Sequence, residues 1–287
     1  MKCGRIFLIS LMLSTVVFAA TDDVATSTIS IQEVSESPWH FALDSEFYIN
    51  QKEQDDKGGN SRVTSYHLAS VKYAYDAATT LKIVPTFEIN SVPLEKDKAR
   101  SVNDEIQNGK TFSGARFTDP FIAIKKSAGT VFSSDVISTE VRYYLPVSEL
   151  SQKLQSAGIV RLDTVVPWTV GKWTFYYYLN PRLFLESRND SERSTSLSFR
   201  EHALASYNFT DSWSAYVMVG HRWLLKDQNF LKNEQTIYLL EVGATKALSK
   251  NFSVTVYLDN LFVEAQEDIE LFKASKNDFT LYTSVNF

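Results

Sequence analysis

Arg142, Arg161, Arg182, Arg200 and Arg222 recur through the middle of the chain, each inside a stretch that alternates apolar and polar residues. A period of two is strand geometry, in which residues i and i+2 share a face. On that phase each arginine falls on the polar face of its stretch, and the five reach a common height when counted from the neighbouring turns. The same count puts Asp44, Glu46, Glu88, Glu241, Asp259 and Asp278 at matching heights on other stretches. A row of guanidinium groups facing a row of carboxylates would set a transverse field, orienting dipolar solutes and sorting ions by sign. Glu140, Asp163 and Glu186 sit beside the arginines, and Lys72 and Lys82 dilute the acidic row. An internal network of paired charges therefore fits the same residues.

Other reactive types are sparse. His67 follows Ser65 on one outward face, which is the residue pair of nucleophilic catalysis, but no third group that would orient the imidazole is visible in the sequence. It reads as a lone strand histidine. His221 is also outward, and His202 points inward beside Arg200. No catalytic residue is assigned, and no pattern of metal ligands or cofactor-binding glycines is present. The acidic loop segment "EAQEDIE" reads as solvated charge. The formal charge of −5 becomes −7 once the two cations Lys2 and Arg5 are removed, so nothing favours a nucleic acid as partner.

Those two cations open a short exported-protein leader. The apolar run "IFLISLMLSTVVFAA" follows them and ends in small residues, which predicts a signal peptide over 1–19. The one cysteine, Cys3, lies within it, so an exported mature chain would have no disulfide. Residues 20–37 read as a flexible leader. From 38 to 287 alternation returns twelve times, at 38–50, 62–76, 79–92, 112–126, 133–146, 157–168, 173–187, 195–209, 213–225, 235–247, 251–263 and 276–287. The pairing around 112–146 is the weakest, which leaves ten to fourteen strands open. "FTDPF" breaks the alternation at Asp119–Pro120 and predicts a bulge, since proline cannot donate to a ladder. "SELSQKLQS" at 148–156 could form two helical turns.

The connections alternate in length. Long polar ones (51–61, 93–111, 147–156, 188–194, 226–234 and 264–275) fall at one end, and short ones at the other together with both ends of the barrel chain. Short turns, long loops and strands with one apolar face are the signature of a transmembrane β-barrel. Aromatic rings agree: Trp39, Trp173, Trp213, Phe252, Tyr73, Tyr75, Trp168, Tyr207 and Phe287 cluster at the short-turn end, with Phe199, Trp223 and Phe262 at the other.

The last strand makes the resemblance specific. Phe279, Leu281, Val285 and the terminal Phe287 occupy alternate positions, interrupted only by Thr283. This resembles the end of Gram-negative outer-membrane β-barrel proteins, whose assembly machinery reads such a strand as a sorting signal. The resemblance implies an all-β closed antiparallel barrel of about twelve strands in the bacterial outer membrane, with both termini periplasmic. It also implies contact with membrane lipid and lipopolysaccharide and, in porin-like members, passage of small hydrophilic solutes. A barrel enzyme acting on lipids and a structural or adhesive barrel with a closed lumen are the alternatives. Deleting Phe287 should leave precursor in the periplasm and reduce the heat-modifiable barrel recovered from outer membranes. Undiminished recovery would show that the terminal ring is not read.

Overall fold

The computed structural model describes residues 37–50, 62–90, 114–148, 151–152, 156–186, 197–225, 233–263 and 278–287. The expected signal peptide, nearly all of the leader and most of the long loops lie outside the described residues.

Alternating residues build fourteen strands. They are β1 (Trp39–Asn50), β2 (Arg62–Ala74), β3 (Thr79–Val84), β4 (Thr86–Asn90), β5 (Gly114–Phe117), β6 (Phe121–Ala128) and β7 (Ile137–Tyr144), then β8 (Ser156–Val170), β9 (Trp173–Glu186), β10 (Leu197–Thr210), β11 (Trp213–Leu225), β12 (Asn233–Ser249), β13 (Phe252–Val263) and β14 (Asp278–Asn286). Every pairing is antiparallel. β1 pairs with β2 on one side and β14 on the other, so the sheet closes on itself. The Phe287 N–H donates to the Phe41 carbonyl at 2.8 Å and completes the closing seam. β3 and β4 are two halves of one wall strand, and so are β5 and β6. The barrel is therefore twelve-stranded, matching the twelve alternating segments of the sequence.

Proline explains both splits. Pro85 separates β3 from β4 and Pro120 lies just before β6, at neighbouring positions of the wall. Neither can donate to a ladder, but each still accepts: Pro85 O from Ala69 N–H at 3.1 Å, and Pro120 O from Leu145 N–H at 2.8 Å. Above this break, among the described residues, β5 pairs only with β4, because the chain after Tyr144 leaves the sheet. Asp119, the residue at the break, takes over. Its carboxylate accepts from the Ser148 N–H at 2.7 Å and from the Ser151 hydroxyl. It thus anchors a helical turn that Ser148 itself caps: Ser148 Oγ accepts from the Ser151 N–H at 3.2 Å, and Gln152 N–H donates to Ser148 O at 3.0 Å. Beside it, Gly158 has φ +117, and a Cβ there would meet Tyr144 O at 2.6 Å, so only glycine lets β8 cross the end of β7.

The short connections close hairpins at one end. In the β2–β3 turn the Ala78 N–H donates to Asp76 Oδ1 at 2.7 Å, and that bond holds the Asp76 carboxyl below its ordinary pKa. Outward positions present bare apolar surface: Phe41, Ile83, Ile124, Phe175 and Val219 are all exposed. Such a band is unstable in water and fits a hydrocarbon environment. Inside, Tyr178, Leu204, Tyr216, Met218, Leu239, Tyr257 and Tyr282 pack into one buried cluster. Because Asp119 ties that turn to the wall with two hydrogen bonds, Asp119→Ala should cost about 2 kcal/mol. The thermal midpoint of heat modification should fall, with strand content by circular dichroism unchanged.

Candidate functional site

The inward face of the barrel carries its charge in two groups. On β7, β8 and β9, Arg142, Arg161 and Arg182 stand directly opposite one another across the strand pairs. Arg200 on β10 faces Asn180 and Arg222, one inward position nearer the short turns. Like charges on opposed positions repel, so this ladder needs interleaved carboxylates. The Arg142 Nε lies 2.6 Å from Glu140 Oε1 and 2.8 Å from Asp163 Oδ2. The Arg161 Nε donates to Asp163 Oδ1 at 2.7 Å, and Lys82 joins Glu140 at 2.5 Å. Asn180 donates to Asp163 as well, and accepts from Arg182 Nε at 2.8 Å. Phe121 lies under the Arg142 guanidinium, 4.8 Å from ring centroid to Cζ.

This network is sealed. Arg142 is 2% and Arg161 0% exposed, whereas Arg182, Arg200 and Arg222 are only partly covered. The Arg222 Nε donates to Ser198 Oγ at 3.0 Å.

The carboxylates follow a second ladder. Glu241, Asp259 and Asp278 are opposed on β12, β13 and β14; the side chain of Asp278 lies outside the described residues. Tyr216 donates its hydroxyl to Glu241 Oε1 at 2.5 Å, and Tyr257 donates to Glu46. Tyr216 can reach because Gly243 lies beneath its ring, where a Cβ would come within 2.5 Å. Asp44 is nearly buried on β1. Glu88 is apart from this group. It is 3% exposed and held by Arg116 through Nε at 3.0 Å and Nη2 at 2.6 Å. Arg116 is a partner that strand phase alone did not single out. Among the described residues no cluster of three histidines, cysteines or carboxylates is placed to hold a metal ion.

The outward face holds two polar groups that the sequence reading left incomplete. The sequence shows no orienting partner for His67, and β1 supplies one: His67 Nδ1 is 2.9 Å from Ser45 Oγ, and His67 Nε2 is 3.0 Å from Ser65 Oγ. On the far wall, Tyr177 donates to Glu201 Oε2 at 2.7 Å, and His221 Nε2 is 3.0 Å from Glu201 Oε1. Glu201 was legible as an acid on the apolar phase between Phe199 and Ala203.

Burial separates two roles among the arginines. Arg161→Ala leaves Asp163 buried with less compensation, which costs about 3–5 kcal/mol; Arg182→Ala at a half-open site should cost under about 1 kcal/mol. Urea unfolding in detergent micelles checks the contrast, and equal losses would show that Arg182 belongs to the sealed network.

Neither a protein-family model nor a curated protein matches the sequence. Solved structures do match the barrel. An outer membrane channel from Pseudomonas putida F1 is similar with a TM-score of 0.57 at 12% identity, over 87% of this chain and 95% of that one. The NanC porin gives a TM-score of 0.49 at 6% identity over 85% and 98%, and the KdgM porin 0.45 at 9% over 86% and 99%. By fold, the chain is a closed twelve-stranded antiparallel β-barrel of the outer-membrane type.

Proposed function

We propose that this barrel is a passive outer-membrane channel for small hydrophilic solutes, with a charged and narrow lumen and both chain ends on the periplasmic side. The observation that carries the reading is the division of the inner face. Arg182, Arg200 and Arg222 occupy β9–β11, while Glu241 and Asp259 on β12 and β13, with Glu46 on β1, occupy the neighbouring wall. A solute crossing between them meets a transverse field. The fold likeness to a protein described as an outer membrane channel supports this direction. The outward apolar band would contact lipid and lipopolysaccharide, and the strand ending in Phe287 would be the element offered to the assembly machinery.

A second reading has its own observation. Tyr216, Met218, Tyr257 and Tyr282 are buried inside the barrel at the level of the carboxylates and just below: Met218 is opposed to Glu241 and Tyr282 to Glu46. A buried cluster of these side chains at that height favours a closed lumen, which would make the barrel structural.

Planar-bilayer recording separates the two. The channel reading expects discrete conductance steps from the wild type. Arg200→Ala with Arg222→Ala should move the reversal potential in a salt gradient toward cation selectivity and raise conductance, because two long side chains leave the constriction. Absence of conductance from correctly folded wild type would favour the closed lumen. Conductance without any change in the double variant would show that these arginines do not line the path.

A further inference from the structure

Ser45, Ser65 and His67 are not used by a lumen. In a strand, alternate residues face opposite sides, so β1 sends Asp44 and Glu46 inward and Ser45 and Phe47 outward. Ser65 and His67 are opposed to Phe47 and Ser45 on the same outer face. Three polar side chains thus stand together on the outer face, Ser45 and Ser65 each only 6% exposed between their neighbours.

Their geometry is that of a nucleophile, a base and an orienting group. The Ser65 Oγ lies 3.0 Å from His67 Nε2, and the opposite ring nitrogen lies 2.9 Å from Ser45 Oγ. Both distances are within the range of an activated nucleophile held by its base and of a base held by a third group. With Nδ1–H donating to Ser45, Nε2 is left as an acceptor for the Ser65 hydroxyl, which also lies 3.4 Å from the Ile89 carbonyl; that is the tautomer general-base catalysis requires. The ring is fixed by packing as well. Phe87 stacks on it with centroids 4.6 Å apart and an interplanar angle of 17°, and Phe47 meets it edge-on at 5.6 Å. A base held by one stacked ring, one edge contact and a partner at each nitrogen stays aligned while the nucleophile moves.

Height chooses the ligand. Tyr73 and Trp39 are opposed at the short-turn girdle, and Ser65 lies eight residues further along β2. At ~3.3 Å per residue and a tilt of ~40°, that places Ser65 ~20 Å above this girdle, in an apolar band ~25 Å tall. The trio therefore sits toward the loop-side rim, not at mid-strand, where the ester linkages of the far leaflet lie beside the wall.

We propose that Ser65, His67 and Ser45 form a lipid-facing acyl-ester hydrolase site, with Ser65 as nucleophile, His67 as general base and acid, and Ser45 as a positioning residue. The Ser65 Oγ attacks the ester carbonyl carbon as its proton passes to His67 Nε2. The tetrahedral intermediate collapses, the acyl carbon–oxygen bond breaks, and His67 returns the proton to the departing alkoxide. Water then attacks the acyl-serine, giving its proton to His67. The free fatty acid leaves, Ser65 recovers its proton, and no oxidant or other co-reactant is needed. Ser45 supplies orientation without charge, so it stabilises the imidazolium less than a carboxylate would, and turnover is slow by the standard of charged triads. The proposal shares with the channel reading only its membrane placement; loss of conductance leaves it untouched.

The test uses the full refolded barrel in detergent micelles, with an alkyl fluorophosphonate as probe and peptide mass spectrometry as readout. The serine displaces fluoride from phosphorus, so the adduct marks the nucleophile. The expected result is an adduct on Ser65 that disappears in Ser65→Ala. His67→Phe keeps the stack on Phe87 and should lower the labelling rate ~10²–10⁴-fold, the usual worth of a positioned base. Ser45→Ala should lower it while heat modifiability stays unchanged, and Ser45→Thr, which keeps the hydroxyl, should restore it. Fatty-acid release is then measured from phosphatidylethanolamine vesicles and from lipopolysaccharide aggregates, and the active one names the ester source. No adduct on Ser65 of a heat-modifiable barrel, labelling that His67→Phe leaves unchanged, or release from neither lipid overturns the proposal and assigns the trio to mutual satisfaction of polar groups in hydrocarbon.

Discussion

An unpaired backbone amide in hydrocarbon costs several kcal/mol, and no water is present to relieve it. The closing β1–β14 ladder follows from this constraint, and so does the placement of the prolines. Pro85 and Pro120 lie on adjacent wall strands, where both ladders are already interrupted. One local break then absorbs two missing donors, and their carbonyls still accept from Ala69 and Leu145. The cost that remains is the open end of β7. Asp119 meets it with a side chain, accepting from the Ser148 N–H and so anchoring the turn that begins there. A residue that looked like simple strand interruption thus anchors the segment that replaces the ladder.

Closure has a second consequence. Once the sheet is a barrel, the period of two assigns every side chain to one of two environments with opposite rules. Inside, a charge may be held by another charge or by a neutral donor. Outside, a polar group in lipid must find its partner on the same surface. The Ser45–His67–Ser65 and Tyr177–Glu201–His221 groups obey this, each drawing members from different strands. Their internal hydrogen bonding makes them tolerable in hydrocarbon, and in the first group it also produces an oriented base beside a hydroxyl.

The strands and their number were legible because alternation is local: each of the twelve segments shows it within its own residues. Asp119–Pro120 was legible for the same reason, since proline chemistry acts at one position. Side-chain partnership was not. Ser45 stands 22 residues from His67, Arg116 stands 28 from Glu88, and Tyr257 stands 211 from Glu46. Such pairs depend on strand register, and register depends on loop lengths and bulges that alternation does not encode. Depth was also hidden. Arg161 and Arg182 share a phase and a height in the sequence, yet one is sealed and the other half-open, because Tyr144, Asp163 and Asn180 crowd around the first.

That difference in depth decides which charges can act at a distance. At an effective dielectric near 20, two unit charges 5 Å apart interact by roughly 3 kcal/mol, so an arginine with an adjacent carboxylate presents little net field. Arg142 and Arg161 are in that state, with Glu140 and Asp163 against them. Arg182 and Arg222 also bond to Asn180 and Ser198, and Glu241 and Glu46 accept from the hydroxyls of Tyr216 and Tyr257. A neutral partner fixes a charge in place without cancelling it. The two walls therefore differ in kind from the network between β7 and β8. One set of charges holds the barrel interior together. On the channel reading, the half-covered Arg182 and Arg222 of the other set act on whatever crosses the lumen.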